Sequence, residues 1–205
     1  MQEERSENGV LLRGEVVASP VLSHQNHGQD YFIFPIAVRR FSGNFDTLNV
    51  VAPQSVIDRC LLNRGDTVEV SGEVRSYNNR TGSGSRLIIT VYARSIEQTG
   101  EEHENRLKLT GVLCKPPVLR RTPLGRDICD MMLAVNRKYG RADYLPCIAW
   151  GALARHCAQR KVGERIAIEG RLQSRGYVKQ LENGPEERVA YEVSVMQLAE
   201  EARET

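Results

Sequence analysis

An all-β chain with short helices, folded as two tandem five-stranded barrels, is the fold class that the sequence predicts. Three observations predict it: the chain matches itself at a fixed spacing, its apolar residues alternate over short runs, and only two stretches have helical periodicity. The 205 residues are 40% hydrophobic and 26% charged, a composition of folded domains rather than disordered ones.

At an offset of 97 residues the match runs without gaps through the first part of each half. Gly14 falls on Gly111, Pro20-Val21-Leu22 on Pro117-Val118-Leu119, Gly28 on Gly125 and Asp30 on Asp127. Ile36-Ala37-Val38-Arg39-Arg40 then meets Leu133-Ala134-Val135-Asn136-Arg137, and Asp46 and Leu48 meet Asp143 and Leu145. After one inserted residue the offset is 98, pairing Gly65 with Gly163, Gly72 with Gly170 and Ser76 with Ser174. Within each copy the apolar residues alternate with polar ones, as at Val68, Val70 and Val74 and again at Ile166, Ile168 and Leu172, which is the period of a strand with one buried face. Gly72 and Gly170, inside these strands, mark a bulge or a barrel corner. Gln54 to Leu62 and Gly151 to Arg160 read as the helices. Each copy is therefore expected to run three strands, one short helix, two strands, the element order of an OB-fold, a partly open Greek-key barrel. The first barrel is placed at 8–98 and the second at 105–198. The polar, acidic stretch 99–104 between them is read as a linker, because it lacks apolar residues that would order it.

Charge separates the two copies. From Asn8 to Gln98 there are 9 basic and 8 acidic residues, net +1, whereas Asn105 to Leu198 holds 17 and 9, net +8. The basic footprint expected of a polyanion binder thus lies on the second barrel.

Asn105-Arg106-Leu107, the stretch from Pro117 to Gly125, Leu133-Ala134-Val135-Asn136-Arg137, Trp150-Gly151 and Gly170-Arg171-Leu172-Gln173-Ser174-Arg175 together resemble the bacterial single-stranded DNA-binding protein family, here with two OB-folds per chain. The resemblance covers nearly all of the second copy and implies sequence-tolerant binding of single-stranded DNA. It places four base-stacking aromatics at Tyr139, Tyr144, Trp150 and Tyr177. The chemistry suits the task, since every base has a π-face and a flat side chain stacks on any of them, with about 1 to 3 kcal/mol per base. Tyr144 and Trp150 are six residues apart in one strand, so a period of two puts them on one face, which is either the binding face or the core. Tyr139 and Tyr177 stand among polar neighbours where strands are expected to enter loops. Arg106, Arg120, Lys138, Lys161, Arg171 and Arg175 lie on or near the same elements and are the candidates for phosphate contact.

Carried back by the repeat, the four stacking positions become Ser42, Thr47, Pro53 and Asn79, none of them aromatic, although Phe41, Phe45 and Tyr77 lie close by. The first barrel is accordingly expected to be degenerate, with a structural or assembly role or weaker contacts through the loop Tyr77 to Ser85. Members of the resembled family usually carry one barrel per chain and form homotetramers, so two barrels per chain imply a homodimer presenting four. That family also recruits partners through an acidic tail with an apolar tip; the final Ala199 to Thr205 has neither the preceding glycine-rich region nor the tip, which puts tail-mediated recruitment in doubt.

Other classes find little support. His24 and His27 lack Cys or carboxylate company, so no metal is expected, and His156-Cys157 are helical neighbours pointing about 100° apart. No GxxxxGK[ST] or GxGxxG stands in a suitable context, so neither a nucleotide cofactor nor enzymatic activity is expected. Five cysteines without CxxC spacing read as free thiols, buried in a reducing compartment. A polar N-terminus and the lack of a long apolar run predict a cytoplasmic protein that does not engage membranes, with a role in replication, recombination or repair. The competing reading is an accessory factor of a primosome or recombination complex that mainly binds proteins.

Overall fold

The computed structural model describes residues 7–79, 86–137, 140–181 and 184–199. The chain forms two compact units, one made of Gly9–Arg106 with Gln173–Tyr191, the other built on Leu107–Leu172 and the strand residues from Glu192 on.

The first barrel consists of β1 (Asn8–Val16), β2 (Val21–Asn26), β3 (Gln29–Arg39), β4 (Phe45–Pro53), α1 (Gln54–Ile57), β5 (Thr67–Asn78) and β6 (Leu87–Gln98). Its strand order is β2-β3-β4-β6-β5-β1, closed where Glu15 and Val16 of β1 pair with Ala37 and Ile36 of β3. Among the described residues of this barrel only β4 and β6 run parallel, Val50 opposite Val91. The second barrel repeats the plan with β7 (Glu104–Leu113), β8 (Val118–Arg121), β9 (Asp127–Asn136), β10 (Ala142–Trp150), α2 (Gly151–Cys157), β11 (Arg165–Leu181) and β12 (Gly184–Ala199). The order β8-β9-β10-β12-β11-β7 closes through Val112 and Leu113 on Ala134 and Leu133, and β10 runs parallel to β12. These are OB-folds, with one difference from the expected element count. The first strand of each is broken in two, at Ser19-Pro20 and at Pro116-Pro117, where proline removes the ladder donor.

The repeated glycines sit where backbones cross. A Cβ on Gly14 would stand 2.5 Å from the Ala37 carbonyl oxygen, and one on Gly111 2.8 Å from that of Ala134, so both permit barrel closure. At Gly72 the register with β6 shifts by one residue, the expected bulge, and a Cβ there would strike the Tyr92 carbonyl. Gly170 meets the Ser194 carbonyl in the same way. The helices stop sooner than expected, at Ile57 and Cys157, and continue as turns in which Cys60 N–H bonds Ile57 C=O and Arg160 N–H bonds Cys157 C=O.

The alternating residues fill the barrels: Val68, Val70, Val74, Ile166, Ile168 and Leu172 are all buried, with Phe34, Ile36 and Leu48 in the first core and Leu133, Leu145 and Val193 in the second. Each core admits one matched ion pair. Arg40 reaches Asp46, and Arg137 reaches Asp143, across the turn before the strand that bears the aspartate, and both carboxylates are buried. The stretch expected to be a linker is ordered by polar contacts instead: Thr99 N–H bonds Thr67 C=O, Arg13 pairs with Glu101 at 2.8 Å, and Arg39 N–H donates to His103 Nδ1. Cys129, Cys147 and Cys157 are buried, Cys60 and Cys114 partly so, and all five thiols are free.

Candidate nucleic-acid interface

Strand β10 shows which way its two aromatics face. Leu145, Cys147 and Ala149 are 0%, 2% and 0% exposed, whereas Tyr144 is 50% and Trp150 42% exposed. The period of two thus turns Leu145, Cys147 and Ala149 into the barrel and Tyr144 and Trp150 out of it. At the start of the strand, burial of Asp143 against Arg137 fixes that alternation beside Tyr144. At its end, Gly151 adopts φ +61°, which turns the chain from strand into α2 directly after Trp150. The helix is anchored beneath by Ala154 and Cys157.

Trp150 borders a cleft of about 520 Å³ whose other walls are Arg121, Gly125, Arg126, Asp127, Gly151 and Arg155. Asp127 organises it. Its carboxylate accepts from Arg155 Nη1 at 2.6 Å and from Arg121 Nε at 3.1 Å, and these bonds, Arg155 first, hold it below the usual carboxylate range. Both guanidiniums remain largely exposed. An exposed indole framed by three arginines offers a flat apolar surface for a base and cations for the phosphates on either side of it. Arg121, Arg126 and Arg155 are missing from the residues selected by sequence. The signal was available in part: Arg121 and Arg126 flank the turn Thr122 to Gly125, which hydrogen bonds identify as tight.

The other selected residues are scattered. Arg120 shares a rung with Ile128 and Trp150, and its Nη2 donates to Asp130 at 3.1 Å. Arg106 is exposed and 3.2 Å from Glu104, Lys161 is exposed in the turn after α2, and Arg171 is half-buried. Lys138 and Tyr139 lie outside the described residues. Tyr177 is not at a strand end. It lies well inside β11, on the hairpin segment Gln173–Tyr191 that belongs to the other unit, half-buried, with the Arg175 guanidinium 6.0 Å over its ring.

In the first barrel the corresponding face is partly covered. Pro53, the counterpart of Trp150, is buried. Thr47, the counterpart of Tyr144, donates its N–H to Ser174 Oγ at 3.0 Å, and Asn49 Nδ2 lies 3.4 Å from the Tyr191 hydroxyl. Ser174 is held further by its N–H on Asp46 and its carbonyl on Arg40. The β11–β12 hairpin therefore occupies one end of this face. Ser42 is exposed and Asn79 half-buried, its N–H bonded to the Arg86 carbonyl.

Fold and site together define a two-barrel OB-fold protein with one exposed aromatic and arginine-rich barrel face. Residues 104–199, which bear that face, match the single-strand binding protein family. The chain is 39% identical over 83 residues to single-stranded DNA-binding protein A of Bacillus subtilis, covering 37% of this chain and 48% of that protein. It is 38% identical over 80 residues to single-stranded DNA-binding protein 2 of Listeria innocua, covering 36% and 50%. The chain spans about half the length of the curated relatives it matches. Both barrels have a structural likeness in the single-stranded DNA binding protein of Thermus aquaticus, with a TM-score of 0.78, 23% identity, and coverage of 98% of this chain and 96% of that one. A deletion mutant of the same protein gives a TM-score of 0.79 at 22% identity, over 99% and 98% of the two chains. At these identities the likeness is one of fold. No helix among the described residues is long and apolar enough to cross a membrane.

Proposed function

We propose that this chain binds single-stranded DNA without strong sequence preference, through the outer face of its second barrel, and that it coats exposed strands during replication, recombination or repair in the cytoplasm. The observation that carries this reading is the orientation of β10: Tyr144 and Trp150 are half exposed while their strand neighbours are buried, and Trp150 stands among Arg121, Arg126 and Arg155. The names of the relatives over residues 104–199 supply the ligand. Arg120 shares the Trp150 rung, Lys161 and Arg106 are assigned phosphate roles elsewhere on the barrel, and Arg175 with Tyr177 forms a separate pair on the hairpin. Tyr139 and Lys138 are assigned stacking and phosphate roles on the family resemblance, as is the phosphate role of Arg171. The first barrel is assigned mainly a supporting role, and the particle is a homodimer with four barrels.

Trp150 is the only tryptophan, so the proposal has a direct readout. Titration with oligothymidine at low salt is expected to quench its fluorescence, with affinity falling as salt rises at a slope of about −0.7 per phosphate contacted. Unchanged fluorescence together with no mobility shift overturns the reading.

A further inference from the structure

The two barrels can be compared rung by rung on their outer faces. In the second barrel one rung crosses β8, β9 and β10 as Arg120, Ile128 and Trp150. The repeat aligns Ile128 with Tyr31 and Trp150 with Pro53, and in the first barrel the same rung crosses β2, β3 and β4 as His24, Tyr31 and Pro53. A register shift in β2 between Leu22 and His24 brings His24 onto it. The aromatic has therefore moved one strand over rather than disappeared. Where the second barrel has a buried aliphatic side chain and an exposed indole, the first has a phenol ring and a buried proline.

The first-barrel rings are already arranged as a stack. His24 lies parallel to Tyr31, with centroids 4.8 Å apart and an interplanar angle of 3°. Tyr92 of β6 stands 6.3 Å from Tyr31 and tilted, and the Arg75 guanidinium lies 5.9 Å over Tyr92. His24 is exposed, whereas the hairpin contacts fall at Thr47 and Asn49 towards the other end of the face. What remains open is a short aromatic column with Arg75, itself paired with Glu73, at its far side.

We infer that His24 and Tyr31 form a second nucleobase-stacking site, in the first barrel, which takes unpaired bases of the same strand class as the Trp150 face. The inference rests on the proposed function, since it assigns the same ligand to a new place. A base adds to the column on the open face of His24, and the site is sequence-tolerant because nothing on the rung offers a base-edge pattern. Phe41, Phe45 and Tyr77, near the family positions in sequence, are not part of this rung.

The test is photocrosslinking of the full chain to oligothymidine carrying 5-iodouracil at single positions, with peptide mapping, beside titrations read by Trp150. Crosslinks to His24 or Tyr31 are expected in addition to those within residues 105–199. His24→Ala and Tyr31→Ala are expected to weaken binding of long oligonucleotides about tenfold and to reduce the nucleotides covered per chain, while Trp150 quenching at saturation is unchanged. Tyr31→Phe is expected to bind as the parent does. Because Tyr31 lies on a central strand, the exposed His24→Ala carries the test if Tyr31→Ala unfolds. Crosslinks confined to residues 105–199, with His24→Ala unchanged in affinity and coverage, overturn this inference alone; absence of all crosslinks and of quenching overturns the proposed function as well.

Discussion

At the residue scale the aromatics and the thiols lead to separate expectations. Tyr144 and Trp150 have half-exposed side chains outside the barrel core, so truncation is expected to cost binding more than stability. Tyr144→Ala and Trp150→Ala are each expected to lose about 1 to 3 kcal/mol of strand affinity, with melting temperatures close to the parent's. Arg155→Ala acts differently, because it removes a cation and leaves Asp127 with Arg121 as its remaining partner in the cleft, and its effect is expected to shrink at high salt. The thiols report on the core. Burial raises the Cys147 thiol strongly and pushes that of Cys157 up to about 11. Both stay protonated in the fold at pH values where the unfolded chain ionises them, so their contribution is fully present below the ordinary thiol range and is lost as pH rises through it towards the folded value. Each buried thiol is expected to remove about 1.4 kcal/mol of stability per pH unit above about 9. Denaturation of the parent and of Cys147→Ala between pH 8 and 10 checks this; an equally steep alkaline decline in the variant counts against it.

At the scale of elements, the alternation of Val68, Val70 and Val74 and of Ile166, Ile168 and Leu172 made the strands legible in the sequence, because a barrel strand has one wet and one dry face. The repeat made Gly72 and Gly170 legible as distortions, and the structure supplies the reason, a carbonyl in the space a Cβ needs. Gly72→Ala and Gly170→Ala are each expected to cost about 1 to 3 kcal/mol in chemical denaturation, whereas Gly9→Ala, with open space around it, is expected to be near neutral. Asp143→Ala, which removes the buried carboxylate that Arg137 reaches, is expected to cost about 3 kcal/mol. Less legible were features made by long-range contact. The length of β11 beyond Tyr177, the ordering of residues 99–103 by Arg13 and Arg39, and the arginine wall beside Trp150 each join residues far apart in sequence, and none leaves a periodic trace.

At the scale of the whole molecule, the repeat has diverged in charge and in surface while keeping one topology. The second barrel carries net +8 against +1 for the first, and the first has given one end of its equivalent face to Ser174 and Tyr191 of the hairpin. Asp46, paired with Arg40, also accepts from the Ser174 N–H, which ties the pair to the hairpin. The Arg40–Asp46 pair thus spans its own turn and also seats Ser174 of β11. Ser174→Pro removes that donor, and its ring meets the Asp46 carboxylate that the N–H now satisfies. It is expected to destabilise the chain by about 1 to 3 kcal/mol. Ser174→Ala keeps the backbone bonds, losing the hydroxyl's bonds with the Thr47 N–H and the Asp46 carboxylate, and is expected to cost about 1 kcal/mol or less. Equal losses for the two variants would mean that the hydroxyl, rather than the Arg40–Asp46 pair, holds the hairpin in place.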